Sequence, residues 1–263
     1  MEELEQLIDA LHLEDLRNER HPSIFDENEG YDMLIVRLPE IGRELEVTSL
    51  GFVITPTAGY FYDREEERFE HLGSRFEGPH AMIDAMTDRL LKGFLSYQEM
   101  SADMEDALYA NRQTDDFMTL WLNLKRDILR IERVLMRTSE TMKEVIGVYE
   151  GIESFPVNHY ADLYEHMERV MRSAALQLSK LDYLYNFYNV RTNEKMNRMI
   201  YLLTIISAIF LPLNLVVGFF GMNTGGLPFA EQSSGTLNAA LLMASLMIAT
   251  SAIVFFWRRR VER

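Results

Sequence analysis

Two stretches near the C-terminus carry no charge and are each long enough to cross a bilayer. The first, MIYLLTIISAIFLPLNLVVGFF, runs from Met199 to Phe220 and has 22 residues. The second, LNAALLMASLMIATSAIVFFW, runs from Leu237 to Trp257 and has 21. A spanning helix needs about 20 predominantly apolar residues, and within lipid its backbone must satisfy itself. A buried pair of core helices is the competing reading, and two uncharged runs of this length close together weigh against it. The segment between them, Gly221 to Thr236, is too short for a domain. The two spans therefore form a hairpin.

Charge sets the expected orientation. Arg191, Lys195 and Arg198 precede the first span, Arg258, Arg259 and Arg260 follow the second, and the connecting loop has no Lys or Arg. The positive-inside tendency puts both termini in the cytoplasm and the loop outside, with Trp257 as an interfacial anchor. The first residues, MEELEQLIDALHLEDL, are acidic and amphipathic, unlike the basic start and apolar centre of a signal peptide.

The rest of the composition removes whole classes of function. The net charge is -15, and residues 1–80 carry 20 Asp plus Glu against 7 Lys plus Arg. So acidic a surface repels phosphate backbones, which excludes nucleic acid as an expected partner. There is no cysteine, hence no disulfide, thiolate zinc site or cysteine nucleophile. No P-loop, GxSxG, HExxH or paired-carboxylate signature occurs, so no enzyme activity and no permanently bound cofactor are expected.

Before the spans the chain divides in two. Residues 1–78 read as a small α/β or α+β domain. Leu4, Leu7, Ile8 and Leu11 stripe an N-terminal helix. Strand-like runs DMLIVRLPE and ELEVTSLGFVITPTAGYFYDRE follow, punctuated by Gly51, Pro56 and Gly59. Residues 79–156 read as helical. Ile83, Met86, Leu90, Phe94 and Tyr97 recur every three or four residues, and a second seam runs from Phe117 through Trp121, Leu124, Ile128 and Ile131 to Leu135. Thr114 offers that second helix an N-cap, with Asp115 and Asp116 suited to its first turn. Gly151 and Pro156 mark the next break. From there a long helix is expected over 157–221, containing the first span at 199–220. A loop at 221–236, the second span at 237–257 and a basic tail at 258–263 complete the chain.

One face of the first span is polar. Asn197, Ile200, Thr204, Ser207, Leu211, Asn214 and Gly218 are spaced alternately three and four apart, and Leu203 lies beside them. Polar groups facing lipid are costly, so this face should meet protein or water. Small and polar residues also glue helices together in membranes, and the face alone leaves both readings open. If it lines a water path, several copies must surround one axis, because two helices cannot enclose one. Pro212 frees the carbonyl of Ala208 on the way.

The tripeptide Gly221-Met222-Asn223 then carries a resemblance. YLLTIISAIFLPLNLVVGFFGMN resembles the CorA family of divalent-cation channels and transporters, whose hallmark is GMN at the outer end of the first of two spans. YADLYEHMERV, from Tyr160, looks like that family's Y-x-R-D-x-x-D-H segment, with Glu165 in place of the second acid. The match runs from about residue 157 to the end. It implies a homopentameric funnel in a bacterial-type inner membrane, with a cytoplasmic domain below a pore that conducts divalent cations. It implies Gly221, Met222 and Asn223 as the selectivity filter, and Asn214, Leu211, Thr204, Leu203, Ile200 and Asn197 as pore lining, to which the three-four spacing adds Ser207. It also implies Asp162 as a residue for regulatory metal. The loop that follows, TGGLPFAEQSSG, has Glu231 as its only charge and is most similar to the zinc-transporting, ZntB-like branch. Magnesium and zinc are the expected cargo, with cobalt and nickel as further candidates. The reading from a different class is a membrane-anchored sensor or scaffold without transport.

Chemistry supports neutral ligands at such a mouth. Magnesium gives up its waters reluctantly, so amides and carbonyls that bind the hydrated ion suit a pore better than tight carboxylates. A turn built on Gly and Asn is the plainer reading of the tripeptide. Direct zinc coordination would need ligands that the spans lack. His159 and His166, seven apart, could face an inner cavity together, or serve only in packing.

Overall fold

The computed structural model describes residues 2–110, 116–222 and 234–261. The chain forms two compact units, 1–186 and 187–263. The first unit begins with two short helices, α1 (Glu2–Leu7) and α2 (Ala10–Arg17), rather than the one helix its apolar spacing predicts. Asp9 divides them: its carboxylate accepts the Leu11 N–H at 2.8 Å, which caps α2. The break turns Leu4 and Ile8 inward and leaves Leu7 and Leu11 exposed.

A five-stranded sheet follows: β1 (Ile24–Glu27), β2 (Asp32–Ile41), β3 (Leu45–Ile54), β4 (Gly59–Asp63) and β5 (Arg68–His71). Each strand pairs antiparallel with the next, in the order β1-β2-β3-β4-β5, so of the two classes expected the domain takes the α+β arrangement. Alternate residues serve opposite faces. Met33, Ile35, Val53, Tyr62 and Phe69 form one core with Leu4, Ile8 and Leu16 of α1 and α2. Leu34, Val36, Leu38 and Phe52 are buried on the other face.

Gly51 does not end a strand as its position suggests; it lies inside β3, paired with Ile35. A Cβ there would come within 2.7 Å of the Leu16 side chain, so glycine lets α2 sit against the sheet. Gly59 has a similar role at the sheet's exit. A Cβ would meet the Arg75 and Ser74 carbonyl oxygens at 2.8 and 3.0 Å, and the Gly59 N–H donates to the Ser74 carbonyl. That close approach fixes where the helices begin.

Three long helices follow: α3 (Glu77–Tyr109), α4 (Phe117–Tyr149) and α5 (Val157–Phe220). Asp116 is the N-cap of α4, but its side chain makes no capping hydrogen bond; Thr114 and Asp115 lie outside the described residues. The predicted apolar seams of α3 and α4 are the buried faces, and both helices pack on β2. Thr138 of α4 ties the layers together, donating to the Arg37 carbonyl at 2.6 Å. Within the first unit, α3 and the early part of α5 run side by side in the same direction. His80 Nε2 meets the His159 carbonyl at 3.2 Å near one end, and Lys180 pairs with Glu105 at 2.6 Å near the other.

Where β2, α3, α4 and α5 converge, aromatic rings collect. Phe76 packs on Tyr149 and Phe155 with centroids 4.9 and 5.0 Å away, and Phe155 packs on Tyr160 at 4.7 Å. Tyr149 donates a short hydrogen bond to Asp32, and Tyr160 donates to the Phe76 carbonyl at 2.9 Å. Burial, and then the Asp32 carboxylate, pushes the Tyr149 phenol up from its ordinary value, and burial does the same to Tyr160. Burial followed by Asp127 pushes Tyr97 up to about 12. The folded state thus keeps phenol protons that an unfolded chain releases near pH 10. This contribution is complete below about pH 10 and is lost as pH rises through the folded-state values. Melting temperature measured from pH 8 to 11.5 should stay level to about pH 10 and then fall; a level curve to pH 11.5 refutes the assignment.

Candidate functional site

The second unit holds the end of α5 and helix α6 (Gly235–Val261). Both apolar runs are helical, and none of the most apolar stretch of either is buried. A soluble core helix of this composition would be covered, so its exposure points to lipid as its solvent. Helix α5 runs through Pro212 without ending.

Within the first run the half-covered positions are Tyr201, Ile205, Ile209, Pro212, Leu213, Val216 and Phe220. Their spacing of three and four defines one face. Asn197, Ile200, Thr204, Ser207, Leu211, Asn214 and Gly218 are all exposed. At about 100° per residue they centre on roughly the opposite side of the helix. Leu203 and Leu211 are 65% and 74% exposed beside the polar groups. The Thr204 hydroxyl donates to the Ile200 carbonyl at 2.8 Å. Its proton is thereby satisfied within the helix, and its oxygen lone pairs stay available to accept. A Cβ at Gly218 would meet nothing within 4 Å, so the chain's own packing does not require glycine there.

The helix ends at the tripeptide. The Gly221 N–H donates to the Val217 carbonyl at 2.9 Å, and the Met222 N–H to that of Phe219 at 3.3 Å. Asn223 and Glu231 lie outside the described residues, and the side chains of Trp257 and Arg258–Arg260 are likewise outside them.

The first unit carries a separate cluster. Asp84 and Asp88, one turn apart on α3, bring carboxylate oxygens within 4.8 Å of each other and of a ring nitrogen of His166 on α5. His166 Nε2 also faces Asp162 Oδ1 at 3.7 Å, while His166 Nδ1 is buried without a hydrogen bond. Two carboxylates and an imidazole with an unused nitrogen suit a divalent cation of the magnesium, cobalt or zinc kind. The sequence pointed to Asp162 but missed Asp84 and Asp88. Their signal is the D-x-x-x-D spacing in IDAMTD, which puts both acids on one helix face. His159 does not join His166: its ring lies 5.5 Å from that of His80, in a packing contact.

Comparison with known proteins gives the family and the fold. The family described as CorA-like Mg2+ transporter protein matches residues 62–260, most of the chain. The chain is 23% identical over 176 residues to the putative metal ion transporter YfjQ of Bacillus subtilis, covering 65% of this chain and 55% of that protein. It is 22% identical over 270 residues to the cobalt/magnesium transport protein CorA of Thermotoga maritima, covering 96% of this chain and 76% of that one. The chain thus spans about half the length of the Bacillus relative. Its fold is similar to the complete structure of the CorA magnesium transporter of Methanocaldococcus jannaschii. The TM-score is 0.76 at 17% identity, over 95% of this chain and 84% of that one.

Proposed function

Since the chain belongs to the CorA-like Mg2+ transporter family, we propose that five copies surround one axis and pass hydrated divalent cations through a pore lined by the polar face of α5. The carrying observation is that this face is exposed at every position, on the side of the helix away from its half-covered seam. Asn214, Ser207, Thr204 and Asn197 offer neutral oxygens to the water shell of an ion, with Leu211, Leu203 and Ile200 as apolar rings between them. Binding stays weak and repeated, as conduction needs. Gly221 carbonyls and the Asn223 amide form the outer mouth, and Met222 completes the filter. Magnesium and zinc are the proposed cargo, and cobalt and nickel are carried by the same chemistry. The basic residues flanking both spans put the termini in the cytoplasm.

The experiment is cation flux into liposomes containing the purified chain. Wild-type protein should carry magnesium or zinc well above protein-free vesicles, and Asn223→Ala should carry far less. Equal background flux from both would leave the chain a membrane-anchored sensor or scaffold.

The Asp84, Asp88 and His166 cluster serves in this reading as a regulatory metal site, with Asp162 beside it. Its carboxylates repel one another until a cation neutralises them, so internal metal stabilises the arrangement. Magnesium or cobalt at a hundred times its Kd should stabilise the folded protein by about 2.7 kcal/mol. The check is a thermal melt with and without metal: wild type shifts up, and Asp84→Asn and His166→Ala lose the shift. A shift retained by both variants removes the site.

A further inference from the structure

Away from the pore face and the acidic cluster, one part of the first unit gathers positive charge in an otherwise acidic chain. Arg20 follows α2, Arg37 lies on β2, and Arg130 and Arg133 lie on α4. Arg37 is pinned in place. Its N–H donates to Ser23 Oγ at 2.9 Å, its carbonyl accepts from Thr138, and its Nη1 donates to the Arg20 carbonyl at 3.4 Å. Its Nε is buried without a hydrogen bond. Burial, and then the charges of Arg130 and Arg20, hold the Arg37 guanidinium below its ordinary value. Arg130 spends one N–H on the Leu45 carbonyl, 3.2 Å away. Although the chain has 41 acidic residues against 26 basic ones, none of these four guanidiniums has an ion pair among the described residues. Like charges held together cost free energy that a bound anion would offset.

Arg130 and Arg133 also line a groove of about 630 Å³ along α4. Its apolar wall includes Leu122 and Leu129, 55% and 39% exposed. Lys125 and Arg126, also on its wall, are already paired with Asp182 at 2.7 Å and Asp127 at 3.2 Å. Positive charge without an ion pair thus sits at Arg130 and Arg133 on the groove wall, next to an exposed apolar surface, with Arg37 close enough to Arg130 to feel its charge.

We propose that Arg37, Arg130 and Arg133, with the groove beside them, bind a small phosphate ester, its phosphate on the guanidiniums and its apolar or aromatic body on Leu122 and Leu129. A guanidinium presents a planar fork of donors that matches phosphate, and a group with three acceptor oxygens can engage several forks at once. A single carboxylate would leave most of the forks unmet.

The test is calorimetry on the full chain in detergent, in metal-free buffer, with three probes: ADP, inorganic phosphate and adenosine. ADP should bind saturably, phosphate more weakly, and adenosine not at all. Arg130→Gln and Arg133→Gln should each weaken ADP about tenfold, equivalent to ~1.4 kcal/mol. Arg172→Gln, which lies outside the groove and is paired with Glu168 at 2.8 Å, should not. Arg133 is exposed, so its variant keeps the fold, and an unchanged melting temperature verifies this. No saturable ADP binding by wild type, or undiminished binding by Arg133→Gln, overturns the proposal. So does a wild type that binds neither anion while Arg133→Gln changes the sedimentation size, which would give the guanidiniums to carboxylates of a neighbouring copy. Equal affinity for phosphate and ADP removes the groove from the site.

Discussion

Asn214→Leu is expected to lower magnesium flux in reconstituted vesicles by at least about tenfold. A hydrogen bond to a charged group contributes about 1.5–3 kcal/mol, and each 1.4 kcal/mol is a factor of ten. In an assembly the loss occurs in every copy around the ring, so a large reduction follows even if a single amide contributes little. The change preserves approximate size and adds apolar surface in a helix already exposed to lipid, so folding should tolerate it. Leu211→Asn, one turn away on the same exposed face, should act in the opposite sense. It replaces an apolar ring that excludes water with one that holds it, and resting flux should rise. Ile209→Val, on the half-covered face, should leave flux unchanged. If all three variants behave alike, the exposed stripe is not the ion path and the polar residues serve helix association instead.

The membrane elements were the most legible in sequence. An uncharged run of 22 residues and a three-four polar spacing are local patterns, and a helix in lipid has no competing backbone partner. Three of the five strands were legible for a similar reason, since each carries its own apolar run bounded by turn residues. The four-residue strands β1 and β5 were not; Ile24–Glu27 and Arg68–His71 are strands because β2 and β4 pair with them. The split at Asp9 was hidden because apolar spacing continues across it, and only a side-chain cap reveals the stop. Asp162 was visible through its motif. Its neighbourhood was not, because Asp84 and Asp88 reach His166 only through the register of α3 against α5, a relation between residues about 80 apart. Likewise, no local pattern joins Arg37 of β2 to Arg130 of α4.

Trp121→Ala should be among the most damaging changes to the first unit. Trp121 is 8% exposed, and its ring stacks on Tyr185 of α5 with centroids 4.7 Å apart. Its indole N–H donates to the Leu181 carbonyl at 2.8 Å, and Lys125 Nζ lies 4.9 Å from the ring centre. Truncation removes a stacked ring and a hydrogen bond by which α4 holds this part of α5, and leaves a cavity between the two helices. Trp-to-Ala changes in cores cost about 3–5 kcal/mol. Trp121→Phe separates the contributions: it keeps an aromatic ring against Tyr185 and loses the N–H, so its cost should be near the ~1 kcal/mol of one hydrogen bond, plus a small packing loss. Chemical denaturation of the full chain followed by far-UV circular dichroism measures both. Hydrogen exchange should show the effect locally, with amides around Leu181 to Tyr185 losing protection in Trp121→Ala, while β2 and β3 lose only what the global change in stability requires. If Trp121→Ala costs less than Trp121→Phe is expected to, the ring is not what binds α4 to α5. The adjacent ion pair, Lys125 with Asp182 at 2.7 Å, would then have to carry the contact. That pair is partly exposed to solvent, where ion pairs contribute about 0–1 kcal/mol, too little to hold two long helices in register without the ring.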